Sequence, residues 1–394
     1  MSAYRSPLNE QLISASPAEV SSVNLGPIHL KTPVVLAPMA GVTDWPFRSL
    51  CLKWGAALYV NQMITARALV EENSLTWKLA EFGQGEPIRS IQLYGTDPKT
   101  VALAVRMLKD RLNIDHVDMN FGCPAPKVTR NGGGAAIPVK YRLLGSIVES
   151  AVKAAGEVPV TIKFRKGIDD DHLTFLDSGR IAQETGCVGV TLHARTAKDL
   201  YSGHADWDAI TQLVEHIDIP VFGNGDIWEP WDALRMIRHT GAAGVEIGRG
   251  CLGRPWFFSD LVSVLSGKEP NLTRPSLGLV ADVMLDHVRR LLEFYDQCEG
   301  DVVRRFRKHA GWYVAGWPVG KELRRRLHAV GSLDELTAVT ADFDRDIVLP
   351  PEGVRVKRSH TGGPRKVALP EGWLSDPHEE IVLAASAEVN VSGG

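Results

Sequence analysis

From about residue 33 the chain alternates short apolar runs with longer stretches of helical periodicity. The runs are VVLA (34–37), ALYVNQM (57–63), IRSIQL (88–93), HVDMN (116–120), VTIKF (160–164), GVTLH (189–193), PVFGN (220–224) and GVEIG (244–248). Several are apolar on both faces, as buried parallel strands must be. The spacers accommodate helices. DPKTVALAVRMLKDRLN (97–113) opens on Asp97, a capping carboxylate, with Pro98 in the first turn, where a missing N–H costs nothing. Eight such units in roughly 235 residues predict a (β/α)8 TIM barrel, whose usual size is about 250 residues. A doubly wound open sheet is the competitor, and the absence of G-x-G-x-x-G after the first run counts against it.

Past about residue 270 the strand signals stop. SLGLVADVMLDHVRRLLEFYDQ (276–297) carries apolar residues at helical spacing, and two further helical segments are expected by residue 346. The pattern divides the chain into an N-terminal segment (1–32), a barrel (33–268), a small all-helical domain (269–346) and a Pro/Gly-rich, irregular C-terminal extension (347–394). The last 15 or so residues are expected to be disordered. KVALPEGWL (366–374) has enough apolar side chains to pack on the body instead.

Composition narrows the class without naming it. The 394 residues are 44% hydrophobic and 23% charged, with a formal net charge of −3. A net charge near zero argues neither for nor against nucleic acid, because binding patches are local. No run of about 18 apolar residues exists, so no membrane span is expected. The first residues lack the basic start and apolar block of a secretory signal. Five scattered cysteines without a C-x-x-C pair suggest neither a disulfide framework nor a metal site, and fit a reducing cytoplasm.

In such a barrel the working residues stand at the C-terminal strand ends and in the loops just after them. Those ends read Pro38-Met39-Ala40, Gln92, Asn120 with Cys123, Lys163 with Arg165, His193 with Arg195, Asn224-Gly225-Asp226, and Gly248-Arg249. Cys123 sits on a Gly-Cys-Pro turn, a poor place for a core residue. A thiol with an ordinary pKa of about 8.5 is mostly protonated at neutral pH and can donate a proton; with His193 nearby it could equally be a nucleophile, and sequence alone does not choose. Alternation puts Thr161, Lys163 and Arg165 on the inward face, where a cation suits an anion or an electron-rich ring. The turns GNGD (223–226) and GRG (248–250) follow the seventh and eighth strands, where backbone N–H groups commonly hold a phosphate. NGGGAA (131–136) reads as a flexible loop with no phosphate role. Residues 302–326 hold Arg304, Arg305, Arg307, Lys308, Lys321, Arg324, Arg325 and Arg326 against one acid, Glu322. That run is either a solvated helical face or a surface for a nucleic-acid backbone, and its aromatic residues are expected in the core.

Several stretches together resemble the tRNA-dihydrouridine synthase family, nearest to its bacterial B-type branch. They are APMAGVTDWPFR (37–48), QLYGTDP (92–98), DMNFGCPAPKV (118–128), VTIKFRKG (160–167), LHARTAKDLYSGHADWD (192–208), IPVFGNGDI (219–227) and GVEIGRGCLGRPWFF (244–258). They run in the family's order over residues 33 to 260, with a weaker match to about 345. Phe164 replaces a commoner aliphatic residue, and the tail past 350 has no general family counterpart. The resemblance implies an FMN-bearing oxidoreductase that uses NADPH to reduce the 5,6 double bond of uridines in tRNA, in the D-loop. It implies FMN held by Pro38, Met39, Ala40, Gln92, Lys163, Asn224, Gly225, Asp226, Gly248 and Arg249, with His193 near the flavin and Cys123 as proton donor. Asn120 would hydrogen-bond the uracil edge or the flavin, Arg165 and Arg195 would bind the substrate, and Arg304, Arg305 and Lys308 the RNA backbone. No metal and no obligate protein partner are implied. A flavin barrel acting on a small pyrimidine such as dihydroorotate, or a non-catalytic RNA-binding protein, are the alternatives.

Overall fold

The computed structural model describes residues 4–16, 18–381 and 383. Eight parallel strands close a barrel: β1 (Val34–Leu36), β2 (Leu58–Tyr59, resumed as Met63–Thr65), β3 (Ser90–Tyr94), β4 (His116–Phe121), β5 (Val160–Arg165), β6 (Gly189–His193), β7 (Val221–Asn224) and β8 (Gly244–Ile247). β8 pairs back onto β1, while the two halves of β2 pair separately, the first with β1 and the second with β3. Across the break, Val60 N–H still donates to Leu36 O at 3.2 Å and Asn61 N–H to Ser90 O at 3.0 Å, so the ladder survives. A buried ion pair braces it: Arg48 grips Glu86 at 2.8 and 2.9 Å and donates to Asn61 Oδ1 at 2.9 Å.

The intervening helices follow the pattern read from sequence. Pro98–Leu112 is capped by Asp97, which accepts from Thr100 N–H, and ends at Asn113 in the left-handed conformation. Its buried residues Val101, Ala104, Val105 and Leu108 recur at three- and four-residue spacing, the stripe a barrel-covering helix needs. At the N-terminal end of the barrel, a hairpin of Val23–Leu25 and Ile28–Leu30 packs Leu25 and Leu30 against Val35, Leu58 and Phe222 and closes the floor.

Four helices follow: Leu277–Phe294, Glu299–Tyr313, Lys321–Ala329 and Leu333–Ala341. Two segments after the first were expected, and there are three. Gly316 at φ +84° and Pro318 break the chain after Tyr313, and Ser332 then caps a separate last helix by accepting from Glu335 N–H. These helices share a core in which Val280, Met284, Val288, Phe306 and Leu336 meet, joined by Leu50 and Trp256 from the barrel. No helix among the described residues is long and apolar enough to cross a membrane.

Beyond a single turn at Pro351–Val354 the tail is irregular, yet it packs on the body. Trp373 is buried and donates from Nε1 to Ala136 O at 2.8 Å, and the buried Lys140 ammonium binds Asp376 O and Glu379, both at 2.7 Å. The expected disordered end falls mostly on residues 384–394, outside the described residues. The glycine run at 131–136 is not a loose loop, because the tail covers it. A Cβ at Gly132 would lie 2.6 Å from the Trp373 ring and one at Gly133 2.2 Å from the Tyr94 hydroxyl, and Gly134–Val139 forms a buried 3-10 turn.

Candidate active site

Strand register assembles the polar end of the barrel. Gln92 stands opposite Asp118, Asn120 opposite Lys163, Arg165 opposite His193, and His193 opposite Asn224. Side chains on the inward face therefore meet in a layer. Gln92 Nε2 donates to Asp118 at 2.7 Å, Thr161 Oγ1 to the other Asp118 oxygen at 2.7 Å, and Asn120 Nδ2 to Gln92 Oε1 at 2.8 Å. Lys163 Nζ donates to Asn224 Oδ1 at 3.0 Å and lies 3.3 Å from the Glu246 carboxylate. Both Glu246 side-chain oxygens are buried with no hydrogen-bond partner among the described residues. Burial, and then the neighbouring Glu246 charge, push the Asp118 carboxyl up to about 7.

Above this layer opens a cavity of about 660 Å³. The turn that carries Cys123 is fixed at its edge. Asn120 Oδ1 accepts from the N–H groups of both Gly122 and Cys123 at 3.0 Å, the geometry of an Asx turn. Arg165, itself buried, donates from Nε to Gly122 O at 2.9 Å and ties the turn to the Thr196 and Leu200 carbonyls. Gly134 closes the far side: at φ +54° a Cβ there would stand 2.6 Å from Cys123 O. Burial raises the Cys123 thiol above its ordinary pKa, against smaller opposing contributions from the Ala125 N–H, Arg165 and Lys127. His193 is held well below its usual pKa by burial and by the surrounding cations Arg165, Lys163, Arg195 and Arg249, so it is neutral at physiological pH.

The other end of the cavity is built from the turns after β7 and β8. Gly225 adopts φ +132°, and a Cβ there would meet the Ala205 methyl at 2.7 Å. The Arg249 guanidinium lies 4.6 Å from the Tyr201 ring centroid and 5.2 Å from that of Trp228, and donates to His360 O at 2.7 Å. Burial brings its pKa down to about 10, so it remains a cation at neutral pH. Arg195 sits behind the wall, binding Asp226 at 2.8 and 2.9 Å and the Ser202 and Gly203 carbonyls, with Nη1 unpartnered.

Of the residues singled out from sequence, Pro38, Met39, Ala40, Gln92, Asn120, Cys123, Lys163, Arg165, His193, Asn224, Gly225, Asp226, Gly248, Arg249 and Lys308 all line this one cavity. Arg195 does not reach it, and the Asp226 carboxylate is taken up by Arg195 and by Ala205 N–H at 2.7 Å. Arg304 and Arg305 also lie outside it; Arg304 pairs with Asp301 at 2.8 Å and Arg305 stacks over Tyr295 at 4.4 Å. Phe306, Tyr313 and Trp317 are core, as expected, whereas Trp312 reaches the cavity wall. Sequence reading passed over Asp118 and Glu246, although a carboxylate inside an otherwise apolar run was a signal. It also passed over Tyr201, Ser359 and His360, for which no local signal existed.

A family model described as dihydrouridine synthase matches residues 35–347. The chain belongs to that family. Among its relatives, a probable tRNA-dihydrouridine synthase of Mycobacterium tuberculosis is 48% identical over 392 residues, covering 97% of this chain and 98% of the relative. A tRNA-dihydrouridine synthase B of Pseudomonas syringae is 38% identical over 328 residues, covering 82% of this chain and 95% of the relative. The dihydrouridine synthase match thus takes in the barrel and the helices and stops where the tail begins.

Proposed function

We propose that the protein reduces the 5,6 double bond of uracil within tRNA, holding FMN in the barrel mouth and drawing electrons from NADPH. The observation that carries this reading is the Asn120–Arg165 clamp on the Cys123 turn, which holds a protonated thiol at the edge of the cavity in a member of the dihydrouridine synthase family. The cavity suits FMN. Its volume lies in the usual range for small-molecule sites, the Glu246 carboxylate on its wall is buried beside the Lys163 ammonium without a hydrogen-bond partner among the described residues, and Gly248 leaves backbone open to close approach beside Arg249. Arg249 and the turns after β7 and β8 would hold the phosphate, and Gln92, Lys163 and Asn224 the ring system, with Pro38, Met39 and Ala40 against its face.

When bound, FMN supplies the hydride that uracil accepts. Cys123 supplies the proton for the other carbon; raised by burial, its thiol is loaded at neutral pH and needs no histidine to hold it so. Lys163 places a cation where negative charge must be stabilised, and the neutral His193 can donate a hydrogen bond without adding charge. A stacked base cannot reach the cavity, so the nucleotide is extruded before it enters. The helical domain, whose Lys308 and Trp312 border the mouth, takes the adjoining RNA by shape and backbone.

The test is direct. Purified protein is expected to be yellow, to release FMN, and to form one dihydrouridine in an unmodified tRNA transcript for each NADPH consumed. Release of FAD, failure to take up flavin on reconstitution, or oxidation of dihydroorotate without RNA would overturn the reading.

A further inference from the structure

The tail does more than cover the glycine run. From the Arg254–Val354 contact, where Arg254 Nη1 donates to Val354 O at 3.0 Å, it passes the buried Arg358 and reaches the cavity wall at Ser359 and His360. His360 O accepts from Arg249 in the loop after β8, Gly362 O from Tyr201 N–H, and Arg365 N–H donates to Lys198 O at 2.8 Å. Residues 359–366 therefore span the rim from the loop after β8 to the loop after β6. Trp373, buried beyond them, anchors the far end.

Charge is distributed unevenly between this strap and the helical domain. Between Glu352 and Glu371 the chain has no acidic residue. Lys357, Arg365 and Lys366 are exposed, and among the described residues none of them forms an ion pair. In the helical domain, by contrast, Arg304, Arg325 and Arg326 pair with Asp301, Glu322 and Asp342, and Arg307 and Arg324 are turned onto backbone carbonyls. Five of the eight cations in its basic run are engaged within the domain, leaving Arg305, Lys308 and Lys321 without an ion pair among the described residues, whereas none of the strap's three is so engaged.

We propose that residues 357–366 are a second RNA-contacting surface, taking the phosphodiester backbone of the tRNA whose base enters the cavity. The proposal rests on the function argued above and adds a contact outside the span of the family match, which ends at residue 347. The Pseudomonas syringae relative aligns over 82% of this chain, whereas the Mycobacterium tuberculosis relative aligns over 97%.

The test compares flavin-loaded wild type with K357E/R365E/K366E and with the neutral K357Q/R365Q/K366Q, measuring binding to an unmodified tRNA transcript across a salt series. Flavin content and reduction by NADPH are recorded alongside to show that the body is intact. Both variants are expected to keep their flavin. The glutamate variant should bind at least roughly tenfold more weakly, and each variant should flatten the log–log salt slope by about 2, because each phosphate contact contributes about 0.7–0.9. Unchanged affinity and slope in both variants would overturn the proposal. So would weakening confined to the glutamate variant, since that is repulsion rather than lost contact. A wild type that binds no tRNA would instead overturn the function on which the proposal stands.

Discussion

At the floor of the barrel, Leu25 and Leu30 of the hairpin press on Val35, Leu58 and Phe222 in a cluster of buried apolar side chains. One strand length away, at the mouth, Lys163, Arg165, Arg195 and Arg249 crowd around Asp226 and Glu246, with polar atoms left unpartnered. Backbone strain is distributed in the same way. Among the described residues six non-glycine residues have positive φ, and three of them, Leu200, Asp226 and Ser359, sit at the mouth beside Arg165, Arg195 and Arg249. The side chains of the floor contribute by apolar burial, which scales with the area removed from water. The mouth keeps desolvated charge and strain in place, as a site must if its groups are to be aimed before a ligand arrives.

The sharpest way to break this contrast is to remove one small side chain from each end. Cys123→Ala should lower reduction of tRNA uracil by about 10²–10⁴-fold, the usual loss for a general acid. Flavin reduction by NADPH and the unfolding midpoint should barely move, because the turn is held by Asn120 and Arg165 and not by the thiol. Rapid-mixing assays of the two half-reactions check this, and a defect in the NADPH half would reassign Cys123. At the floor, Leu30→Ala removes a fully buried side chain and should cost about 2–5 kcal/mol in denaturant unfolding while leaving both half-reactions intact. If Leu30→Ala instead impaired uracil reduction in the folded protein, floor and mouth would not be separable.

The two ends also differ in how much of them could be read from sequence. The eight strands, the Asp97 cap and the inward face of β5 were legible because period and capping are local properties of the chain. The cavity residues were legible because strand ends are fixed once the strands are known. The role of Arg195 was not, because nothing in LHAR tells that its guanidinium turns back onto Asp226 and the Ser202 carbonyl. Nor was the order of the 131–136 run, since what orders it is Trp373, more than two hundred residues away. His360 was invisible for the same reason: its contribution is a backbone carbonyl delivered to Arg249 by tertiary packing.

Asp118 sits where the apolar floor gives way to the charged mouth, and the smallest of the expected effects sharpens that boundary. Its carboxyl is raised to about 7, chiefly by burial and then by Glu246. A carboxyl raised above its unfolded value of 3.8 keeps a proton that the unfolded chain has already released. The stability it contributes is fully present below about pH 4 and is lost as pH rises through about 7. Asp118→Asn imitates the protonated acid and cannot titrate, so the variant should gain on wild type as the medium becomes more alkaline. Between pH 6 and 8 the difference in unfolding free energy should shift by about 1.4 kcal/mol in the variant's favour. Titrating groups remote from Asp118 contribute equally to both proteins and drop out of the difference. His116, below Asp118 in the same polar layer, is buried and pushed down to about 3, so it stays neutral throughout this window. Denaturant midpoints across that pH range measure the shift. Parallel curves for the two proteins would mean that Asp118 is ionised well below neutrality, and that the charged character of the mouth extends deeper into the barrel than Lys163.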